Sequence, residues 1–228
     1  MSVQMTERPF VFTIFALVLS LTLTSFPAKA ETYVAGQAGV TIPQSFSSVE
    51  YSALGVTLRG NDLSMQNSLM YGAKAGYYFD SLKWQNFNLG VETEVFNTNP
   101  NIKEQNYTIA GVNLGTGAGV NARILTWAPV NILVRYQAGA FEPYAGVGFG
   151  VFFSHFSQAG SGSSTGTDVG LNTQLGLRYR VTNNVSVFGE WKYNHANLSN
   201  NNFVGTNGLK VSGDYNANIL AFGLGYHF

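Results

Sequence analysis

The residues whose types could do chemistry are few and loosely spaced. A serine nucleophile needs a base within hydrogen-bond reach, and His195-Ala-Asn-Leu-Ser199 brings the two types closest. Two residues beyond His195 stands Asn197, however, and Ser199 falls in a polar segment, so the pair reads as an interfacial histidine and a solvated serine. His155, His195 and His227 are scattered, and the chain has no Cys, so no metal-ligand spacing emerges. The Asn/Asp/Gly-rich stretches lack the spacing of a calcium loop. Gly146-Val-Gly-Phe-Gly150 has the glycines of a phosphate loop, but it lies inside an alternating stretch with no helix after it. No zinc-protease, phosphate-loop or nucleophile-elbow motif is present. The reading is no catalytic, metal or cofactor site.

Six other charged residues share a setting. Lys74, Glu92, Arg135, Glu142, Arg178 and Glu190 each lie on the polar side of a strictly alternating segment. A period of two means a strand, because successive side chains leave opposite faces. The clearest case is the terminal stretch: Leu220, Phe222, Leu224, Tyr226 and Phe228 share one face, and Ile219, Ala221, Gly223, Gly225 and His227 the other. Further strands are predicted at 32–42, 68–79, 86–97, up to 136, 141–153, 168–181 and 185–195, with Pro129 at an edge or bulge in the fourth. Polar connections are long after the first, third, fifth and seventh strands and short after the second, fourth and sixth.

Composition narrows what such strands can build. Lys+Arg and Asp+Glu are both 12, which leaves no basic excess for nucleic acid. Charged residues are only 11%, against a typical ~25% for soluble domains. Arg8, the uncharged run 10–23 and Ala28-Lys29-Ala30 read as a secretory signal peptide cleaved after Ala30, with Met1 or Met5 as the start. The run is too short to span a bilayer, which takes about 20 residues as a helix, whereas a tilted strand needs about 9–11. Alternation alone does not say which face points outward. Glycine on the polar face, aromatics near the ends of the apolar face and charges on the opposite face favour apolar-out, a membrane barrel rather than a soluble one.

Gly72-Ala-Lys-Ala-Gly-Tyr-Tyr-Phe79, Leu89-Gly-Val-Glu-Thr-Glu-Val-Phe96, Glu142-Pro-Tyr-Ala-Gly-Val-Gly-Phe-Gly150, Phe188-Gly-Glu-Trp-Lys-Tyr193 and Gly225-Tyr-His-Phe228 resemble the small OmpA-like outer-membrane β-barrel proteins of Gram-negative bacteria. The resemblance spans residues 31–228 and implies an all-β, eight-stranded, antiparallel up-and-down transmembrane barrel with four long extracellular loops. It implies outer-membrane lipid and lipopolysaccharide as surroundings, and Tyr226 and Phe228 as the signal read by the barrel-assembly machinery. It implies little about activity, since fold does not fix function. The periplasmic peptidoglycan-binding domain that follows the barrel in OmpA is not matched here. Eight-stranded lipid A deacylases of the PagL type carry His and Ser two apart on one strand face, a spacing that His195 and Ser199 do not reproduce.

The functional expectation is a monomeric, non-enzymatic barrel that meets a host or surface ligand through its loops. The alternatives are a narrow channel and, last, a deacylase. Inside the bore, short turns predict Lys74 opposite Glu92, Arg135 opposite Glu142 and, for a turn near Asn184, Arg178 opposite Glu190. A turn centred at Asn183 would make the last pair diagonal. With Tyr144, Gln174 and Lys192, these pairs are expected to fill the bore.

Overall fold

The computed structural model describes residues 31–228, so the signal-peptide reading lies outside the described residues. Twelve strands account for most of the fold: β1 (Glu31–Pro43), β2 (Ser47–Ala53), β3 (Val56–Arg59), β4 (Ser68–Trp84), β5 (Phe87–Thr98), β6 (Gln105–Ile109), β7 (Val112–Gly117), β8 (Asn121–Tyr136), β9 (Phe141–Gln158), β10 (Gly162–Arg180), β11 (Val185–Asn200) and β12 (Lys210–His227). The order β1-β4-β5-β8-β9-β10-β11-β12 is antiparallel throughout and closes through β1–β12 pairing. The result is an eight-stranded barrel without a free edge in its wall. The closing seam includes Phe228 N–H donating to the Thr32 carbonyl at 3.0 Å.

Exposure settles the parity of the wall. Leu175 is 57% exposed, Phe222 72% and Leu224 64%, whereas Arg135 is 1% and Lys192 0% exposed. A soluble barrel would have these values reversed, because bare hydrocarbon on that scale is tolerated in lipid and not in water. Pro129 sits where the pairings of β8 to both β5 and β9 shift register. The bulge exchanges the faces: Ala122, Ile124 and Ala128 point inward before it, Asn131, Leu133 and Arg135 after it. Proline is suited to this place because it has no N–H to contribute to a ladder.

The expected loops are shorter and more regular than their composition suggested. β9 continues to Gln158 and β10 begins at Gly162, so 157–167 is largely hairpin rather than loop. β11 runs to Asn200 and β12 starts at Lys210, which reduces the expected 196–213 loop to 201–209. Above the lipid the outward positions face water, so serine, threonine and asparagine can continue a strand and disguise it as a loop. The other two long connections carry hairpins of their own, β2–β3 and β6–β7. Their turns, Leu54-Gly55 and Ala110-Gly111, have positive φ at both residues, the geometry that lets a two-residue turn follow the strand twist.

Candidate functional site: an ion-paired and capped bore

The inward side chains form three successive zones. Nearest the short turns, Glu31 and Glu142 are held among Arg135, Arg178 and Arg180. Arg135 Nη1 lies 2.8 Å from Glu31 and 3.2 Å from Glu142; Arg180 Nε is 3.2 Å from Glu142 and its Nη2 pairs with Glu31. The Arg135 guanidinium stacks 3.7 Å from the Tyr78 ring centroid, and Arg178 sits 4.4 Å from that of Tyr33. Such faces attract cations, so aromatic rings supply part of what water would.

The middle zone carries Lys74, Lys192, Glu92, Glu94 and Glu190, whose side chains are all 0% exposed among the ion pairs they make. Lys192 Nζ lies 2.6 Å from Glu94 and 3.0 Å from Glu190, and Lys74 Nζ pairs with Glu190 and lies 3.4 Å from Glu92. Neutral groups add hydrogen bonds to the same carboxylates: Tyr144 Oη donates to Glu190 at 2.6 Å, Gln174 Nε2 to Glu92 at 2.7 Å, Asn172 Nδ2 to Glu94 at 2.8 Å, and Tyr33 Oη to Glu92. Charges taken out of water are tolerable only when paired and hydrogen-bonded in this way. Lys74 on β4 and Glu190 on β11 are not neighbours in the wall, so their contact crosses the bore.

The third zone, toward the long connections, is apolar. Ile124, Phe152, Phe156, Leu198, Val211 and Tyr215 from the wall pack with Phe46, Val49, Leu63, Met65 and Ile102 from the two hairpin-bearing connections. Backbone pairs Phe46–Leu63 and Ile102–Val120 fix those connections across the mouth. Their apolar side chains turn down into the barrel.

Of the predicted lumen residues, all six point inward, but the cross-strand registers differ from expectation by two. Lys74 faces Glu94 directly, and Glu92 is its diagonal neighbour. The cause is a register shift between Tyr78 and Lys83 in β4, before a tight Gln85-Asn86 turn. Arg135 faces Tyr144, since the second turn is centred one position later, on Gly139-Ala140; it reaches Glu142 diagonally. Arg178 faces Phe188 on β11 and Glu142 on β9, the register of a turn centred at Asn183. Its acidic neighbour is therefore Glu142, at 3.8 Å, and Glu190 belongs to the two lysines. Glu31, Glu94, Arg180 and His227 join these pairs as well. Alternation puts the last three on the polar face of their strands, but contacts across the bore leave no adjacent-strand signal.

One arrangement has the look of a hydrolase relay. Ser186 Oγ is 2.8 Å from His227 Nε2, and His227 Nδ1 is 2.8 Å from Glu31 Oε1. The nucleophile–base–acid order is that of a catalytic triad. Yet Ser186 is 0% exposed and His227 1%, so the pair is shut off from solvent. The other pair, His195 and Ser199, is not assembled: His195 Nδ1 meets Asn216 Oδ1 at 2.7 Å, and the Ser199 N–H donates to Asp168. Among the described residues no cluster of His, Asp and Glu could hold a metal ion.

A closed antiparallel ring, bare hydrocarbon outside and ion-paired inside, defines a transmembrane β-barrel. The profile of the outer membrane protein beta-barrel domain matches residues 13–228, and the chain belongs to that family, with the outer membrane of Gram-negative bacteria as its location. No curated protein matches the sequence. Among solved structures, OprG from Pseudomonas aeruginosa is similar at 16% identity and a TM-score of 0.55, with 87% of this chain and 96% of that one covered. Ail, the attachment invasion locus protein of Yersinia pestis, aligns at 13% identity and a TM-score of 0.45 over 88% and 99%. The outer membrane protease OmpT from Escherichia coli aligns at 14% and 0.45 over 90% and 99%. At these identities the likeness concerns the fold.

Proposed function

We propose that this protein is a closed, non-catalytic barrel that presents a rigid hairpin platform at the cell surface for interaction with other surfaces. The observation that supports this reading is the double closure of the bore, by buried ion pairs below and by an apolar plug above. A barrel built to pass solutes would leave polar walls facing water.

The platform grows out of the wall. β2 pairs with the upper part of β12, β3 pairs with β2, and the Gly60–Ile109 bridge brings β6 and β7 alongside. Its tips are apolar: Leu54 is 103% exposed, Val112 61% and Leu114 63%. Burial, with Tyr107 alongside, pushes the Tyr51 phenol up to about 12, so Tyr51 on β2 stays neutral even in alkaline medium. Exposed apolar groups of this kind suit contact with an apolar or protein surface. At the other end Tyr226 and Phe228 point outward and suit recognition by the assembly machinery.

The test is adhesion of cells displaying the protein to a hydrocarbon or protein-coated surface. The variant Leu54→Asp/Leu114→Asp should assemble normally and lose most of that adhesion; unchanged adhesion would remove the platform from the function. A fluorophosphonate probe for activated serines should leave Ser186 and Ser199 unlabelled, and labelling of either would restore a hydrolase reading.

A further inference from the structure

Outside the barrel wall, above the apolar band, β8 and β9 and the connection after β5 surround a cleft of about 240 Å³. Arg123 and His155 face each other across its floor, Asn121 and Ser157 pair one step above, and Asn99 and Asn101 form one flank. We propose that this cleft binds a phosphate on the sugar headgroup of an outer-leaflet lipopolysaccharide.

Height is the first support. The register pair directly below Arg123–His155 is Leu125–Phe153, and the next is Trp127–Val151. Phe153 is 40% and Trp127 44% exposed toward lipid. Two residues along a strand are roughly 6–7 Å, so Arg123 and His155 stand where acyl chains give way to headgroups. Charge is the second. Among the described arginines, Arg59, Arg135, Arg178 and Arg180 each pair with a carboxylate, whereas Arg123 has no acid within 4.0 Å. No carboxylate lines the cleft either.

Orientation is the third. Arg123 Nε donates to Asn97 Oδ1 at 2.7 Å, and Asn97, only 3% exposed, donates in turn to Asn99 Oδ1 at 3.2 Å. One edge of the guanidinium is thereby fixed, and its Nη groups remain for a ligand. Asn101 Oδ1 accepts from the Ala122 N–H at 2.9 Å, which leaves its amide N–H groups as further donors. A planar guanidinium held at one edge, with neutral donors around it, matches a phosphate oxyanion. The volume admits the phosphate with part of its sugar.

The experiment uses the folded protein in phosphatidylcholine nanodiscs, with lipid retention read by native mass spectrometry. Bisphosphorylated lipid A should be retained about tenfold more tightly than dephosphorylated lipid A, the scale of one charge-assisted contact. Arg123→Gln should erase that difference, while Arg59→Gln, on the β3 hairpin, should leave it intact. Equal retention of the two lipids, or an unchanged preference in Arg123→Gln, would overturn the proposal. Displacement of the lipid by millimolar inorganic phosphate would also overturn it, in favour of a soluble-anion site. Folding of each variant is checked by its heat-dependent gel shift. If Arg123→Gln does not fold, Arg123→Lys keeps the charge and loses the planar fork. It should then show a several-fold loss, and full retention would count against the proposal.

Discussion

At the residue scale, the middle zone has an asymmetry that mutation can expose. Three glutamates share two lysines, and Lys192 touches two of the three. Removing a lysine leaves three carboxylates to one cation, whereas removing Glu190 leaves the charges equal. Lys192→Met should therefore destabilise the barrel by about 3–5 kcal/mol, the cost of an uncompensated buried charge, and Glu190→Gln by distinctly less. Urea unfolding in lipid vesicles measures both, and equal losses would mean that the zone is hydrated and its charges screened. The inward direction of all these side chains was legible in the sequence, because alternation puts them on one face and the glycines of that face, with aromatics at the ends of the other, turn it toward the bore. Their partners were not: Lys74–Glu190 joins non-adjacent strands across the bore, and only three-dimensional closure brings them together.

At the scale of the element, each strand has one face for lipid and one for the bore. Leu175, on β10, lies on the lipid face among Leu171, Leu177 and Tyr179, all exposed. Leu175→Arg should cost about 2–4 kcal/mol near mid-membrane, measured as a lowered unfolding midpoint; a harmless arginine would contradict the lipid-facing assignment. The last strand bears the closing seam, where β12 pairs with β1 and the Phe228 N–H binds Thr32. Deleting Phe228 should lower the yield of heat-shifting barrel in outer-membrane fractions and raise degraded periplasmic protein, and unchanged yield would remove the terminal aromatic from assembly. Strand identity was readable wherever lipid enforced alternation, as in 86–97. It failed above the membrane, where Thr165, Asn197 and Ser212 continue strands with polar side chains on the wet side. Register failed by two at the first turn, because the shift between Tyr78 and Lys83 has no compositional signature.

At the scale of the whole molecule, the interior is graded. Ion pairs fill the end near the short turns and the middle, and apolar side chains fill the mouth. The side chains that fill both halves are buried, and the two fillings depend on different parts of the chain. The charged zones are made by the wall itself, whereas the apolar plug needs Phe46, Val49, Leu63, Met65 and Ile102 from the hairpin-bearing connections. The plug was invisible in the sequence, since these residues sit in polar stretches without periodicity and acquire an inside only when the connections fold over the barrel. Trimming the two hairpins back to the wall should thus open the mouth and still leave the lower bore blocked.

That separation makes electrical conductance the most direct measurement of the central claim. The purified, folded protein is inserted into planar lipid bilayers at high salt, and single-channel current is recorded at moderate voltage. The unmodified barrel should show no steady open level, and the hairpin-trimmed variant should also stay closed. Glu92→Ala combined with trimming, which removes a side chain bonded to Lys74, Gln174 and Tyr33, should produce small, irregular openings. A large, stable current through the unmodified protein would contradict the account, because a bore filled as described has no room for ions to pass.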